Sequence, residues 1–283
     1  MPSASILLVF GFEEAGSRYP WSNPVVISTT VCGGCLFLVF VACDYVVGTP
    51  KYPLEPVFPL QLLKDRHFVG LFLTAFFTGL PFITVLIKLP QHFQGVNGLS
   101  PFAAGVDTLP LLISSPLAAA VSGPLATKMD MPPFYLLLFG ACIQMLGKGL
   151  ASSATPVRLR DFLGVEVFMG FGFGMAVLLY VHFLVERQGL AVVMGAVTQL
   201  RKLGGTIGLA VGATIFNNHL ASSLPNYLTP SEVPTNSDSV PVIDSLPAPT
   251  RNAVRSVFSE GENKRLLTML YLSAVVLVSL TLM

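Results

Sequence analysis

The sequence predicts an all-α fold, a multi-pass transmembrane helical bundle, on three observations. Of its 283 residues 53% are hydrophobic and only 11% are Asp, Glu, Lys or Arg, where a soluble domain carries about 25% charged residues. The charges are also unevenly spread. The gaps between them reach the length of about 20 residues that crosses a bilayer core of about 30 Å. Third, 25 Gly and 22 Pro fall largely inside or beside apolar tracts, a load that membrane helices tolerate because neighbouring helices re-satisfy the freed backbone groups. Sixteen basic residues against fifteen acidic ones leave a net charge of +1. No excess of positive charge is available to neutralise phosphates, so a nucleic-acid partner is excluded and the expected partner is the lipid bilayer.

Residues 1–12 are apolar but too short to span, and they lack the basic n-region and small-residue cleavage site of a signal peptide. They read as the end of a truncated helix, with an interfacial segment as the alternative. The first complete span is expected over 25–47, where VVISTTVCGGCLFLVFVAC runs without a charge up to Asp44. The second covers 68–87, with Lys64, Asp65, Arg66 and Lys88 as flanking surface anchors. The third opens at Ser100-Pro101, an N-cap followed by Pro at the first helical position, and continues to about residue 126 with Asp107 its only charge. The fourth, 134–151, is interrupted by Lys148. The fifth, 162–184, carries Glu166 in its second turn. The sixth lies in the Gly-rich tract 190–220, which encloses Arg201 and Lys202, and the seventh covers 266–283. Between them, 217–263 is the one long polar segment, with six prolines between Pro225 and Pro249. It is expected to be an exposed, largely irregular loop, ending in a short interfacial helix over 251–258.

The order of motifs along the chain adds a family resemblance. YPW at 19–21, the acidic residue Asp44 closing a helix, PLEPVFPLQLLKDRHF, LPQHFQGVNGLSPFAAGVDTLPLL, GFGFG and QLRKLGGTIGLAVGATIFNNHL together resemble the fourteen-helix, fungal drug:proton antiporter branch of the major facilitator superfamily. The resemblance extends over the whole chain. It implies that 1–12 ends the first of two linker helices, that 25–47 is the second, and that 67–283 is the C-terminal six-helix transporter domain, giving about seven complete spans. It also implies a missing N-terminal domain, a small-molecule substrate, protons as the coupling ion, and no cofactor. The implied location is the plasma membrane, with the vacuolar membrane as the alternative. With the family's cytoplasmic termini, the short loops carry five basic residues inside (Lys51, Lys64, Arg66, Lys128, Arg187) and three outside (Arg18, Arg158, Arg160), which agrees with the positive-inside rule.

Several residues within the spans are candidates for function. A charge inside a membrane helix is expensive and is by default a functional hypothesis. Counted from a helix start near Leu190, Arg201 lies about 16 Å along the axis and would face a central cavity. If the hydrophobic core instead begins at Leu203, both Arg201 and Lys202 stay at the surface. The family has an Arg at this position followed by a neutral polar residue, so Lys202 departs from its pattern. Gln199 and Gln144 are neutral polar groups that could bond substrate or a neighbouring helix, and Phe76, Phe77 and Tyr180 are candidate aromatic contacts. Asp107 and Glu166 are the proton-coupling candidates; for both, an interfacial carboxylate in contact with water is the plainer reading. Gly204, Gly208 and Gly212 recur every four residues and form a stripe for close helix packing.

Other patterns carry no chemistry. Gly170, Gly172 and Gly174 lie within an apolar span with no preceding strand, so G-x-G-x-G is not read as a nucleotide loop. The cysteines, including the CGGC pair Cys32 and Cys35, make no metal pattern, and the histidines show no catalytic spacing. An enzyme is therefore not expected. The function expected is secondary active, proton-coupled efflux of drugs, toxins or other amphipathic small molecules. The alternative is a membrane remnant that does not transport and acts only by interaction.

Overall fold

The computed structural model describes residues 2–15, 19–47, 64–128, 131–153, 159–175, 177–185, 189–226 and 247–281. Lys51, Arg18, Arg158, Arg187 and the centre of the Pro-rich tract lie outside the described residues. Within them the chain is helical, with no strand. The helices are α1 (Pro2–Glu14), α2 (Pro24–Val47), α3 (Arg66–Asn97), α4 (Pro101–Asp107), α5 (Leu109–Lys128), α6 (Pro133–Ser153), α7 (Leu159–Gly174), α8 (Val177–Leu184), α9 (Leu190–Ser223) and α10 (Ala248–Leu280). Five helical stretches are long and apolar enough to cross a membrane: Pro24–Val46, Arg66–Asn97, Pro101–Lys128, Pro133–Ser152 and Ala248–Leu280.

Two of the seven expected spans differ from the others in kind. The fifth comes as two helices, α7 and α8, which part just after the Gly170–Gly174 repeat, where three residues without side chains hold the helix least firmly. The sixth is α9, whose 34 residues are more than long enough. Its apolar character is diluted by four glycines between residues 204 and 212 and by Asn217, Asn218 and His219.

The second span is longer than its charges suggest. Lys88 is not a surface anchor; α3 continues past it to Asn97, and Lys88 is 7% exposed. The stop is Gly98, at φ 67°, a left-handed conformation that glycine adopts at no steric cost. Its N–H bonds back to the Gln94 carbonyl, the bond of an αL cap, and that of Leu99 bonds to the Phe93 carbonyl. Ser100 then accepts a hydrogen bond from the Ala103 N–H at 3.3 Å, with Pro101 in the first turn, as the sequence implied. The third span breaks at Thr108 because Pro110 has no N–H to give to Val106. The Thr108 hydroxyl bonds the Ala104 carbonyl at 2.6 Å across the break.

The polar tract expected as a loop over 217–263 is narrower. Helix α9 runs on to Ser223, followed by a 3-10 turn at Leu224–Asn226, and α10 already begins at Ala248. Both ends are helical because they bury apolar residues against each other: Phe216, Leu220 and Leu224 pack on Val254, Val257 and Phe258. The expected interfacial helix and the last span are thereby one continuous helix.

Helix α3 is the hub, packed most extensively on α9 and α10; α7 lies between α5 and α6, and α6 also meets α10. Helix α2 packs chiefly on α1, and α1 reaches α9. The α3–α9 contact is a backbone contact. A Cβ on Gly204 would strike the carbonyl of Phe76, one on Gly208 that of Leu80, and one on Gly79 the carbonyl of Arg201.

Candidate functional site

That close approach sets the position of Arg201. Its residue lies within the seam, eleven residues into α9, and its side chain is half-buried, while that of Lys202 is exposed. The guanidinium carbon stands 4.3 Å from the centroid of the Phe82 ring, a separation at which a cation is held by the ring's negative face. Its Nη2 donates to the Phe173 carbonyl at 3.4 Å, and its Nε is buried without a hydrogen-bond partner among the described residues. Phe82 and Phe173 meet edge to face at 5.1 Å.

Helix α6 contributes two further polar groups, one turn apart. Gln144 is 1% exposed, and neither its amide oxygen nor its nitrogen has a partner among the described residues. Lys148 is fully buried; its Nζ donates to the Ser273 hydroxyl of α10 and lies 5.4 Å from the centroid of the Phe173 ring. Arg201 and Gln144 line a small cavity with Thr74, Thr78, Phe173 and Met175. Glycine allows this closeness as well, since a Cβ on Gly172 of α7 would strike the backbone and side chain of Gln144. The site can donate and accept hydrogen bonds within apolar walls.

The remaining sequence candidates do not join it. Gln199 is exposed on α9. Phe76 and Phe77 pack edge to face on each other at 5.4 Å, and Phe77 and Tyr180 lie against the apolar cluster that includes Phe72, Val193 and Val197. None of these four lines the cavity. Asp107 ends α4 half-buried. Glu166 departs from the water-contacting reading: it is fully buried against the backbone of Leu111, and the charge of Asp107 reaches it. The cause is the packing of α7 on α5, where Gly170 and Gly174 abut the carbonyls of Leu111 and Ser115 and draw that face of α7 inward.

A second polar cluster was not singled out from the sequence. Arg265 and Glu262 of α10 form an ion pair with 4% and 6% of their side chains exposed. Lys88 of α3 acts electrostatically on Glu262, and His92 is reached by the charge of Arg265. These residues line a second small cavity together with Thr84 and Met269. The Arg265 guanidinium also lies 5.1 Å from the Phe216 ring centroid. A signal was present in the pattern, because Glu262 and Arg265 are three residues apart and share a helix face, but only for a reader who starts the last helix before Leu266.

Fold and site together define a multi-pass helical membrane protein with polar groups buried between its spans. Comparison with known proteins carries the assignment further. No protein-family model matches the chain. It is 39% identical to the MFS-type transporter FPY5 of Fusarium mangiferae, over 99% of this chain and 48% of that protein. It is 26% identical to the efflux pump dotC of Dothistroma septosporum, over 91% and 45%, and 28% identical to the rubrofusarin-specific efflux pump aurT of Gibberella zeae, over 78% and 40%. By sequence the chain is similar to fungal MFS-type transporters and efflux pumps. It spans about half the length of the curated relatives it matches.

Proposed function

We propose that this chain is the C-terminal half of a secondary transporter that exports amphipathic small molecules by alternating access, driven by proton entry. The observation that best supports this reading is Arg201, a basic side chain deep in a long helix, sharing a cavity with the unpartnered Gln144. Buried polar groups are normally hydrogen-bonded, and intramembrane charges mark substrate and ion pathways. The names of the relatives point the same way. In transporters of this type two helical bundles rock about a site near the bilayer midplane, so the other wall of the cavity would come from an N-terminal six-span domain. Asp107 and Glu166, close enough to feel each other, are the proposed proton carriers. The proposed location is the plasma membrane, or else the vacuolar membrane.

The test has two parts. Extending the coding sequence upstream of Met1 is expected to reveal six further spans and the start of the first linker helix. Proteoliposomes holding the joined halves are then expected to export amphipathic dyes when a pH gradient is applied and to stop when an uncoupler collapses it, while the chain alone exports none. If the joined halves export no dye of cationic, neutral or anionic type, the transport reading fails and the interaction-protein alternative takes its place.

A further inference from the structure

Resting on the transporter reading for the word substrate, we propose that the central cavity selects anionic amphiphiles: small molecules bearing a carboxylate or a similar acidic oxygen group on an apolar body. The basis is a charge imbalance built into the site. Arg201 and Lys148 converge on one residue, Phe173, the first through its carbonyl at 3.4 Å and the second 5.4 Å from its ring centroid. Among the described residues no carboxylate forms an ion pair with either of them, and Glu166 lies about 10 Å earlier along α7.

The second cluster shows what the fold does where a cation is structural. Arg265, which is more deeply buried than Arg201, receives its own carboxylate from Glu262 one turn away. Among the described residues no such group serves Arg201, whose positive charge persists at any working pH. Its guanidinium plane is held by the Phe82 ring, its Nε is unbonded, and the Gln144 amide stands ready to donate from the opposite helix. An acidic oxygen pair placed there would accept from the guanidinium fork and from Gln144, with Lys148 supplying a further basic group one turn away. The remaining lining, from Leu137, Ala141, Met175 and Val276, is apolar, and the cavity, about the size of one water molecule here, would widen to admit the apolar body of such a molecule.

Equilibrium binding separates charge from shape. The joined halves, in nanodiscs of uncharged phosphatidylcholine, are titrated with radiolabelled 1-naphthoate and with its neutral counterpart 1-naphthylmethanol. The proposal expects naphthoate to bind at least about tenfold more tightly. That ratio should fall below about threefold in Arg201→Gln and in Lys148→Gln, and persist in Lys202→Gln, whose side chain is exposed on the same helix. Equal binding of the two probes, no binding of either, a preference that survives both buried substitutions, or one lost in Lys202→Gln each overturns it. The comparison of probes on the unaltered joined halves needs no variant, so it decides the matter even where a variant misfolds. Failure of the transport reading is seen separately: naphthoate preference without gradient-driven export from the joined halves removes transport, whereas export of neutral and anionic dyes at equal rates keeps transport and removes the anion selectivity.

Discussion

Arg201 and Arg265 are both arginines of long helices, each beside a phenylalanine ring, yet they are satisfied by different means. Arg265 is neutralised inside the protein by Glu262. Removing one member of a buried pair leaves the other uncompensated, at a cost of about 3–5 kcal/mol, whereas replacing both by apolar groups is often neutral. Glu262→Gln is therefore expected to lower the unfolding midpoint in a denaturant titration sharply, and Glu262→Leu combined with Arg265→Met to restore most of it. A midpoint unchanged by Glu262→Gln would show that the pair is not holding α10. Arg201 has no carboxylate to lose, and its backbone, not its guanidinium, makes the α3 contact. Arg201→Ala in the joined transporter should cut export by at least about tenfold, or about 1.4 kcal/mol, while leaving the midpoint nearly unmoved; unchanged export removes Arg201 from the mechanism. At this scale the sequence pointed to isolated charges that interrupt an apolar run, as at Arg201 and Glu166, but not to the burial of Glu166. It was opaque where a charge sits near a presumed helix end. Lys88, Glu262 and Arg265 all looked like flanking residues because the helices continue through them, and Lys148 was read as an interruption because nothing local announces Ser273 and Phe173 as its neighbours.

The helices themselves were mostly legible, since a charge-free run and a cap are local properties. Ser100-Pro101 starts α4 where its residues say, and Asp65 caps α3 by accepting from the His67 N–H at 3.0 Å. What the pattern concealed was continuation. The stretch after Asn217 reads as polar, yet Phe216, Leu220 and Leu224 keep the helical spacing that docks them on Val254, Val257 and Phe258, and that pairing of distant segments is a tertiary fact. Phe216→Ala removes the ring that contacts both Phe258 and Arg265. It should cost about 3–5 kcal/mol and speed amide hydrogen exchange selectively over 250–262, with α6 little affected; uniform exchange along α10 would contradict the docking. Helix α9 offers a comparison within one element. A methyl at Gly195 meets nothing within 4 Å, whereas one at Gly208 meets the backbone of Leu80. Gly208→Ala is expected to destabilise by about 1–3 kcal/mol, the usual range for overpacking, and Gly195→Ala to be neutral in the same thermal-stability assay.

At the scale of the whole molecule, large apolar side chains such as Phe102, Leu38, Tyr271 and Val278, each at least 66% exposed, give the bundle an apolar surface suited to a bilayer or to a neighbouring helical domain. The single tryptophan has the setting expected of a residue at the bilayer surface. Trp21 lies between α1 and α2, 44% exposed, and its ring N–H donates to the Thr214 hydroxyl of α9 at 2.9 Å, the amphipathic setting typical of interfacial aromatic belts. Its fluorescence should be quenched more by a lipid labelled near the headgroup than by one labelled at the chain terminus, and the reverse order would place this end of the bundle at the wrong depth. The seam between α3 and α9 has a wider consequence. Gly204 and Gly208 meet the carbonyls of Phe76 and Leu80 in the same manner, four residues apart on each helix, so the surface repeats itself along the axis like the teeth of a rack. A slip by one tooth, four residues or about 6 Å, would seat Gly208 where Gly204 now rests and carry Arg201 with it, because the carbonyl of Arg201 is itself lodged against Gly79. The depth of the cation in the bilayer is thus indexed to the register of two helices, and α9 would move it in steps of one helical turn.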